Sequence, residues 1–107
     1  INPLLEQIID VVAKNYQDSE FSIEKMASLL FVSQSTLIRR SKSIIGKTPI
    51  EVLNEYRLNK AKGLLMSARD EMSVADIAFE VGFSDPAYFT RKYKDFYGFT
   101  PSETPKS

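Results

Sequence analysis

Apolar residues recur along this chain at the three- and four-residue spacing of amphipathic helices. The first stripe follows Pro3 and consists of Leu4, Leu5, Ile8, Ile9, Val12 and Tyr16. Another lies between residues 49 and 66 and consists of Val52, Leu53, Tyr56, Leu64 and Leu65. No segment alternates polar and apolar residues with a period of two, the spacing that indicates a strand. The pattern therefore predicts an all-α fold whose first helix faces the core.

Capping residues mark where the next helices begin and end. Ser22 and Ser33 are each followed by a helical pattern, and a serine in this position accepts a hydrogen bond from a free amide of the first turn. The helix after Ser33 is expected to end near Gly46, because glycine is common just past a last turn. The segment Thr48-Pro49-Ile50-Glu51 then has the spacing of a capping box with proline at the first helical position. It predicts a long helix through about Met66.

The second half of the chain repeats the first. After a charged turn at 67–72, the predicted helix boundaries fall at Ser73, Val81, Gly82, Ser84 and Gly98. Five residues recur 51 positions later: Ser22, Met26, Ala27, Leu30 and Ser33 correspond to Ser73, Ile77, Ala78, Val81 and Ser84. Six more recur 52 positions later: Arg39, Lys42, Gly46, Thr48, Pro49 and Glu51 correspond to Arg91, Lys94, Gly98, Thr100, Pro101 and Glu103. The change of offset predicts one residue inserted early in the last helix of the second unit.

The repeat predicts two helix-turn-helix subdomains, residues 1–47 and 68–107, joined by a linker helix at 48–67, with about seven helices in all. Each subdomain consists of an acidic helix, a tight turn, a basic helix and a glycine stop. We interpret two such copies in one chain as two equivalent binding contacts.

Charge is segregated along the chain although the net charge of its 107 residues is zero. Residues 1–31 carry a local charge of −3, and residues 32–47 carry +4 with no acidic residue.

The chain has no cysteine and no histidine, which removes thiolate and imidazole chemistry and nearly every structural zinc site. We therefore expect no metal and no cofactor. With neither a bilayer-length apolar run nor a signal peptide, the fragment is expected to be soluble, without membrane contact, and cytoplasmic.

Helical geometry divides each basic helix into two faces. The packing faces are predicted to hold Leu37, Ser41, Ile44 and Ile45 in the first unit and Phe89, Tyr93 and Phe96 in the second. The outward faces hold Ser35, Ile38, Arg39 and Lys42 in the first unit and Ala87, Thr90, Arg91 and Lys94 in the second. A small residue lets such a helix sit deep in a major groove, an arginine one turn later can contact guanine, and a lysine beyond it can meet phosphate. These are the features of a DNA-recognition helix.

The linker helix agrees with that interpretation. About 18 residues at roughly 1.5 Å each span roughly 27 Å, and packing offsets bring this near the roughly 34 Å between successive major-groove faces. Arg57, Lys60 and Lys62 on this helix are expected to be exposed, to pair with neighbours such as Glu55 or to be solvated, and Tyr56 to belong to the core. Phe79 and Phe83 are expected to pack beside the second turn.

The residues also resemble the signature of the AraC/XylS family of transcription regulators. The resemblance lies in Ile77-Ala78, Val81-Gly82-Phe83, Asp85, Tyr88-Phe89, Arg91, Lys94, Gly98 and Thr100-Pro101, with Leu37, Arg39, Gly46, Pro49, Tyr56-Arg57-Leu58, Ala61 and Leu64-Leu65 in the first unit and linker. It implies two helix-turn-helix subdomains joined by a long helix and a function in transcription regulation. The base contacts it implies are Ser35, Ile38, Arg39, Pro86, Ala87, Thr90 and Arg91. To these we add phosphate contacts from Lys42, Lys47 and Lys94.

Three positions depart from the family pattern. Ser41 stands where an aromatic or aliphatic residue is usual, Tyr93 replaces phenylalanine, and the tail Ser102-Glu103-Thr104-Pro105 lacks the usual aromatic-arginine pair. Pro105 is expected to shorten the last helix, which bears on how the tail packs under the second unit.

Two other function classes differ from DNA binding in the residues that they require. An enzyme would need a nucleophile and a base, and the spaced carboxylates Asp76 and Glu80 lie on a solvated helix face, so we expect no catalysis and no catalytic residue. The alternative is a helical protein-docking module without base contacts.

The chain begins at Ile1 and is expected to be part of a longer regulator. Its expected partners are double-stranded promoter DNA, RNA polymerase and a sensor or receiver domain, as in the output domains of hybrid two-component regulators.

Overall fold

The computed structural model describes residues 2–67 and 71–106. It contains six α-helices: α1 (Pro3–Asn15), α2 (Ile23–Leu29), α3 (Gln34–Ile45), α4 (Pro49–Met66), α5 (Val74–Glu80) and α6 (Pro86–Tyr97). A 3₁₀ helix at Pro101–Glu103 follows. The described residues contain no strand, so the all-α prediction is confirmed. The predicted turn at 67–72 includes residues 68–70, which lie outside the described residues. None of the described helices is long and apolar enough to cross a membrane.

Side-chain caps start the short helices as the sequence predicts. Ser22, Ser33 and Ser73 accept backbone N–H bonds at the starts of α2, α3 and α5. The Thr48–Glu51 capping box is also present, because the Thr48 amide donates to the Glu51 carboxylate at 3.0 Å and the Glu51 amide donates to the Thr48 hydroxyl at 3.3 Å. These bonds satisfy amides that the helix itself leaves without partners.

One predicted cap is wrong. Ser84 does not cap α6; Asp85 does, since its carboxylate accepts the Ala87 amide at 2.9 Å. Pro86 decides this, because the residue before a proline is driven into the extended conformation that a cap requires, and Asp85 has φ −127° and ψ 106°. The extra residue of the second unit therefore lies in the turn rather than in the helix, and α3 and α6 are both 12 residues long.

The chain forms two compact units, Ile1–Tyr56 and Arg57–Ser107, and the division falls inside α4. In the first unit, α1, α2, α3 and the start of α4 enclose one apolar core. Its buried members are Leu4, Ile8, Val12, Phe21, Met26, Ala27, Leu37 and Leu53. Tyr56 packs against this core, with its ring 5.1 Å from that of Tyr16. Ile9, expected in the apolar stripe of α1, is exposed instead.

The core of the second unit contains a cluster of aromatic residues. Phe83, Phe89 and Tyr93 are buried, and the Phe89 ring lies 5.2 Å from Phe83 and 5.7 Å from Tyr93. The Tyr93 hydroxyl and the buried Thr104 hydroxyl share a hydrogen bond of 2.6 Å. The two departures from the family pattern, Tyr93 and the tail, are therefore in contact with each other. The tail packs against this unit although its 3₁₀ helix is only three residues long.

Three aromatic or aliphatic residues were wrongly expected to pack. Ile44 and Phe96 occupy equivalent positions in the last turns of α3 and α6 and are 40% and 46% exposed. Helical spacing places them on the core side but does not tell how far along the helix the core extends. Phe79 is exposed because it lies two residues after the buried Ile77, roughly 200° around the helix at about 3.6 residues per turn.

Both helix-turn-helix turns use the same backbone hydrogen bonds. Phe31 and Val32 donate to the carbonyls of Ser28 and Ala27, and the second unit repeats these bonds with Gly82 and Phe83 as donors. This Schellman arrangement needs a left-handed residue at its last position but one. Gly82 supplies it with φ 101°, whereas the first unit places Phe31 there with φ 59°.

We expect Phe31→Gly to stabilise the domain by about 1 kcal/mol, because a side chain in the left-handed region costs about that much. Phe31 is 93% exposed, so its removal loses little burial. Gly46→Ala is the matched control. Gly46 has φ 82° and nothing lies within 4 Å of an added Cβ, so this variant should be destabilised only because alanine is strained in a left-handed backbone conformation. Urea unfolding measures both. A lower free energy of unfolding for Phe31→Gly would show that Phe31 makes a stabilising contact.

Candidate nucleic-acid interface

Helix α3 separates a buried face from an exposed one as predicted in its first two turns. Leu37 and Ser41 are fully buried. On the opposite side, the structure leaves the predicted site residues exposed, namely Ser35, Ile38, Arg39 and Lys42. The exposed face thus combines a small hydroxyl residue, an aliphatic side chain and two cations.

Helix α6 presents a corresponding face. Phe89 and Tyr93 are buried, and Ala87, Arg91 and Lys94 are exposed. Pro86 and Thr90, which were also predicted as base contacts, are half-buried. Arg39 and Arg91 are each the sixth residue of their helix, and Lys42 and Lys94 are each the ninth. The arginine and the lysine therefore occupy the same helical positions in both units.

Ser41 holds the end of α3 to the loop that follows. Its buried hydroxyl donates to the Lys47 carbonyl at 2.7 Å. This bond accounts for a serine where the family usually has a larger apolar residue, since a buried hydroxyl needs a partner. It also fixes the backbone of Lys47.

The Lys47 side chain is engaged within its own unit. Its ammonium donates to the Glu55 carboxylate at 2.6 Å, with both side chains partly exposed. Glu55 was expected to pair with a cation of the linker helix, and its partner is instead Lys47. A phosphate contact from Lys47 would have to compete with this ion pair.

The capping glutamates add to the local electrostatics. The hydrogen bond from the Thr48 amide lowers the pKa of Glu51, with a smaller contribution from the charges of Lys42 and Lys47. The Thr100 amide lowers the pKa of Glu103 in the same way, and Lys94 contributes. Both glutamates are thus favoured as anions beside a lysine of α3 or α6.

The cations of the linker helix differ from the expectation that all three are exposed. Arg57 is only 6% exposed, and its Cζ lies 5.7 Å from the centroid of the Phe83 ring. Lys62 Nζ lies 4.6 Å above the Tyr97 ring. Of the three, Lys60 alone is exposed. Arg57 therefore belongs to the interior of the second unit.

Sequence reasoning did not single out Tyr88 as part of the site. Its ring lies 6.0 Å from Arg91 Cζ and 5.6 Å from Lys92 Nζ. The signal was available, because residues three and four apart on a helix are neighbours. Across residues 2–67 and 71–106, no three histidine, cysteine, aspartate or glutamate side chains are grouped as a metal site would require.

Comparison with known proteins identifies the family. Residues 26–107 match the sequence profile of a family described as "Helix-turn-helix domain", and related sequences and structures are AraC-type regulators. The chain belongs to the AraC-type helix-turn-helix family. Membership of this family confirms the resemblance found in the sequence and the two-unit helical fold.

Individual relatives align with nearly the whole of this chain. The C-terminal domain of the two-component response regulator yesN from Fusobacterium nucleatum is 30% identical, with a TM-score of 0.87 over 98% of this chain and 100% of that one. The DNA-binding domain of AdpA, solved with a target DNA, is 25% identical, with a TM-score of 0.81 over 95% of this chain and 88% of that one. Histidine kinase P4 from Formosa agariphila is 30% identical over 94% of this chain.

The chain corresponds to a small part of several longer relatives. It spans 7% of histidine kinase P4, and 28% and 29% of two helix-turn-helix regulators from Bacillus subtilis and Haemophilus influenzae.

Proposed function

We propose that this domain binds double-stranded promoter DNA sequence-specifically and thereby regulates transcription. The observation that carries the proposal is the pair of exposed faces on α3 and α6, with arginine and lysine at the same helical positions in both. Two unrelated solvated faces would not need this agreement. The family is one of DNA-binding regulators rather than enzymes, and the AdpA domain was solved with a target DNA.

Each residue type has a definite role in this proposal. Arg39 and Arg91 donate paired hydrogen bonds to guanine O6 and N7, the commonest specific contact in the major groove. Ser35 and Ala87 are small enough to let their helices approach the bases. Ile38 contacts a thymine methyl group, and Thr90 with Pro86 completes the second face. Lys42, Lys47 and Lys94 contact phosphates and set register rather than sequence.

The two recognition helices are proposed to enter successive major grooves of one duplex. Support comes from the repeat itself and from the length of the linker helix, whose 18 residues span roughly 27 Å. The DNA site would then have two short parts about one helical turn apart.

The remaining partners belong to the larger protein. We place the domain in the cytoplasm as the output end of a regulator that carries a sensor or receiver domain and contacts RNA polymerase. The match to a response-regulator domain and to part of a histidine kinase supports the signalling assignment.

Binding to duplex DNA as a function of salt tests the proposal against the protein-docking alternative. Three lysine-phosphate contacts should give a slope of log affinity against log salt of roughly −3, because each neutralised phosphate contributes about −0.9. Fluorescence anisotropy with labelled duplexes between low and physiological salt measures the slope. Absence of binding even at low salt would favour docking to a protein.

Glu55→Gln should strengthen DNA binding, because Lys47 then contacts its phosphate without first giving up its ion pair with Glu55. Asp10→Asn is the matched control. It removes an acidic partner from another lysine, Lys14, at 3.0 Å on the exposed side of α1, and changes the net charge equally. If the two variants bind alike, Lys47 makes no phosphate contact.

A further inference from the structure

Tyr88 lies on α6 where the aromatic core of the second unit meets the exposed cations. Its ring is half-buried, and its centroid lies 6.1 Å from that of the buried Phe83. Arg91 Cζ and Lys92 Nζ approach the same ring to 6.0 Å and 5.6 Å. Both distances are within the range of cation–π attraction. Tyr88 thus contacts a buried core residue and two exposed cations.

The aromatic residue behind Tyr88 is firmly held. Phe83 is 3% exposed, packs 5.2 Å from the fully buried Phe89, and has the Arg57 guanidinium 5.7 Å from its centroid. Close packing holds such a side chain in a rotamer minimum. The Tyr88 ring therefore rests against a closely packed side chain, which limits the orientations in which the ring faces Arg91.

We propose that Tyr88 is a positioning residue for Arg91: its ring holds the guanidinium in the orientation from which it contacts a base. An arginine loses much rotamer freedom when it binds, and ordering it in the free protein reduces that loss. The inference rests on the proposed DNA-binding function. The first unit differs, because the residue equivalent to Tyr88 there is Thr36. Arg39 therefore serves as an internal control.

The first experiment needs no DNA. In the NMR spectrum of the free domain, ring currents from Tyr88 should shift the δ-protons of Arg91. Tyr88→Leu should move these resonances toward their values in an unfolded chain, whereas Tyr88→Phe, which keeps the ring, should leave them shifted. Unchanged Arg91 resonances in Tyr88→Leu would overturn the inference without affecting the proposed function.

The second experiment measures base preference at the DNA position contacted by Arg91. Tyr88→Leu should reduce the preference for the favoured base pair by about two- to fivefold, the factor expected for an exposed cation–π contact. Tyr88→Phe should retain the preference, and the position contacted by Arg39 should be unaffected in both. Lys92→Met should leave the base preference unchanged, because Lys92 contacts the Tyr88 ring but is not proposed to contact a base.

A double-mutant cycle separates positioning from direct contact. If Tyr88 acts through Arg91, Tyr88→Leu should cause no further loss of DNA affinity in a protein that already carries Arg91→Ala. An equal loss in both backgrounds would mean that Tyr88 touches DNA itself and would overturn the inference. If the unaltered domain shows no base preference at all while the Arg91 shift persists, the proposed function fails, and with it the purpose assigned to this contact.

Discussion

Phe89→Ala should lower the free energy of unfolding of the second unit by about 3–5 kcal/mol, the usual cost of removing a fully buried phenylalanine. Phe89 has no exposed surface and lies between Phe83 and Tyr93 at 5.2 and 5.7 Å. Its loss opens a cavity behind the whole exposed face of α6. Urea unfolding followed by circular dichroism measures the change.

Phe96→Ala on the same helix is the control for Phe89→Ala. Because Phe96 is 46% exposed, its removal should change the unfolding free energy by under about 1 kcal/mol. Phe89→Leu keeps most of the buried volume and should lie between the two. Similar losses from Phe89→Ala and Phe96→Ala would contradict the aromatic core described for the second unit.

Arg39→Ala and Arg91→Ala should each erase the preference at one base-pair position, at a cost of about 1–3 kcal/mol for the favoured base. The reason is that a bidentate arginine distinguishes guanine from the other bases, whereas a cation on phosphate does not. Relative affinities of duplexes that differ at single positions measure the effect. The two positions should be different ones.

Neighbouring cations provide controls for the two arginine variants. Arg40 and Lys92 directly follow Arg39 and Arg91 and are exposed, so Arg40→Ala and Lys92→Ala remove the same charge from the same helices. They should weaken binding to all duplexes alike. Loss of preference at one position in Arg40→Ala but not in Arg39→Ala would mean that the face of α3 has been assigned wrongly.

Local chemistry made much of the fold predictable. Serine caps, the Thr48–Glu51 box and the glycine stops act within one helical turn, so the sequence alone locates most helix boundaries. The Ser84 prediction failed because two adjacent residues can both cap, and the proline that follows selects Asp85. The end of the packing face could not be predicted at Ile44 and Phe96, since helical spacing gives direction but not the extent of the core.

Interactions between helices were harder to predict. Arg57 lies four residues from both Leu53 and Ala61, which are buried, so its position agrees with the interior, but its charge suggested the surface. In the folded unit the Phe83 ring lies beside its guanidinium. Lys47 and Glu55 are eight residues apart across a loop and a helix start, a separation that no local rule predicts.

Selection of bound sequences from a pool of random duplex DNA is the most direct test of the central claim that both units recognise bases. The unaltered domain should enrich two short motifs separated by about one helical turn. Enrichment of a single motif would contradict recognition by both units, and no enrichment at low salt would contradict DNA binding itself.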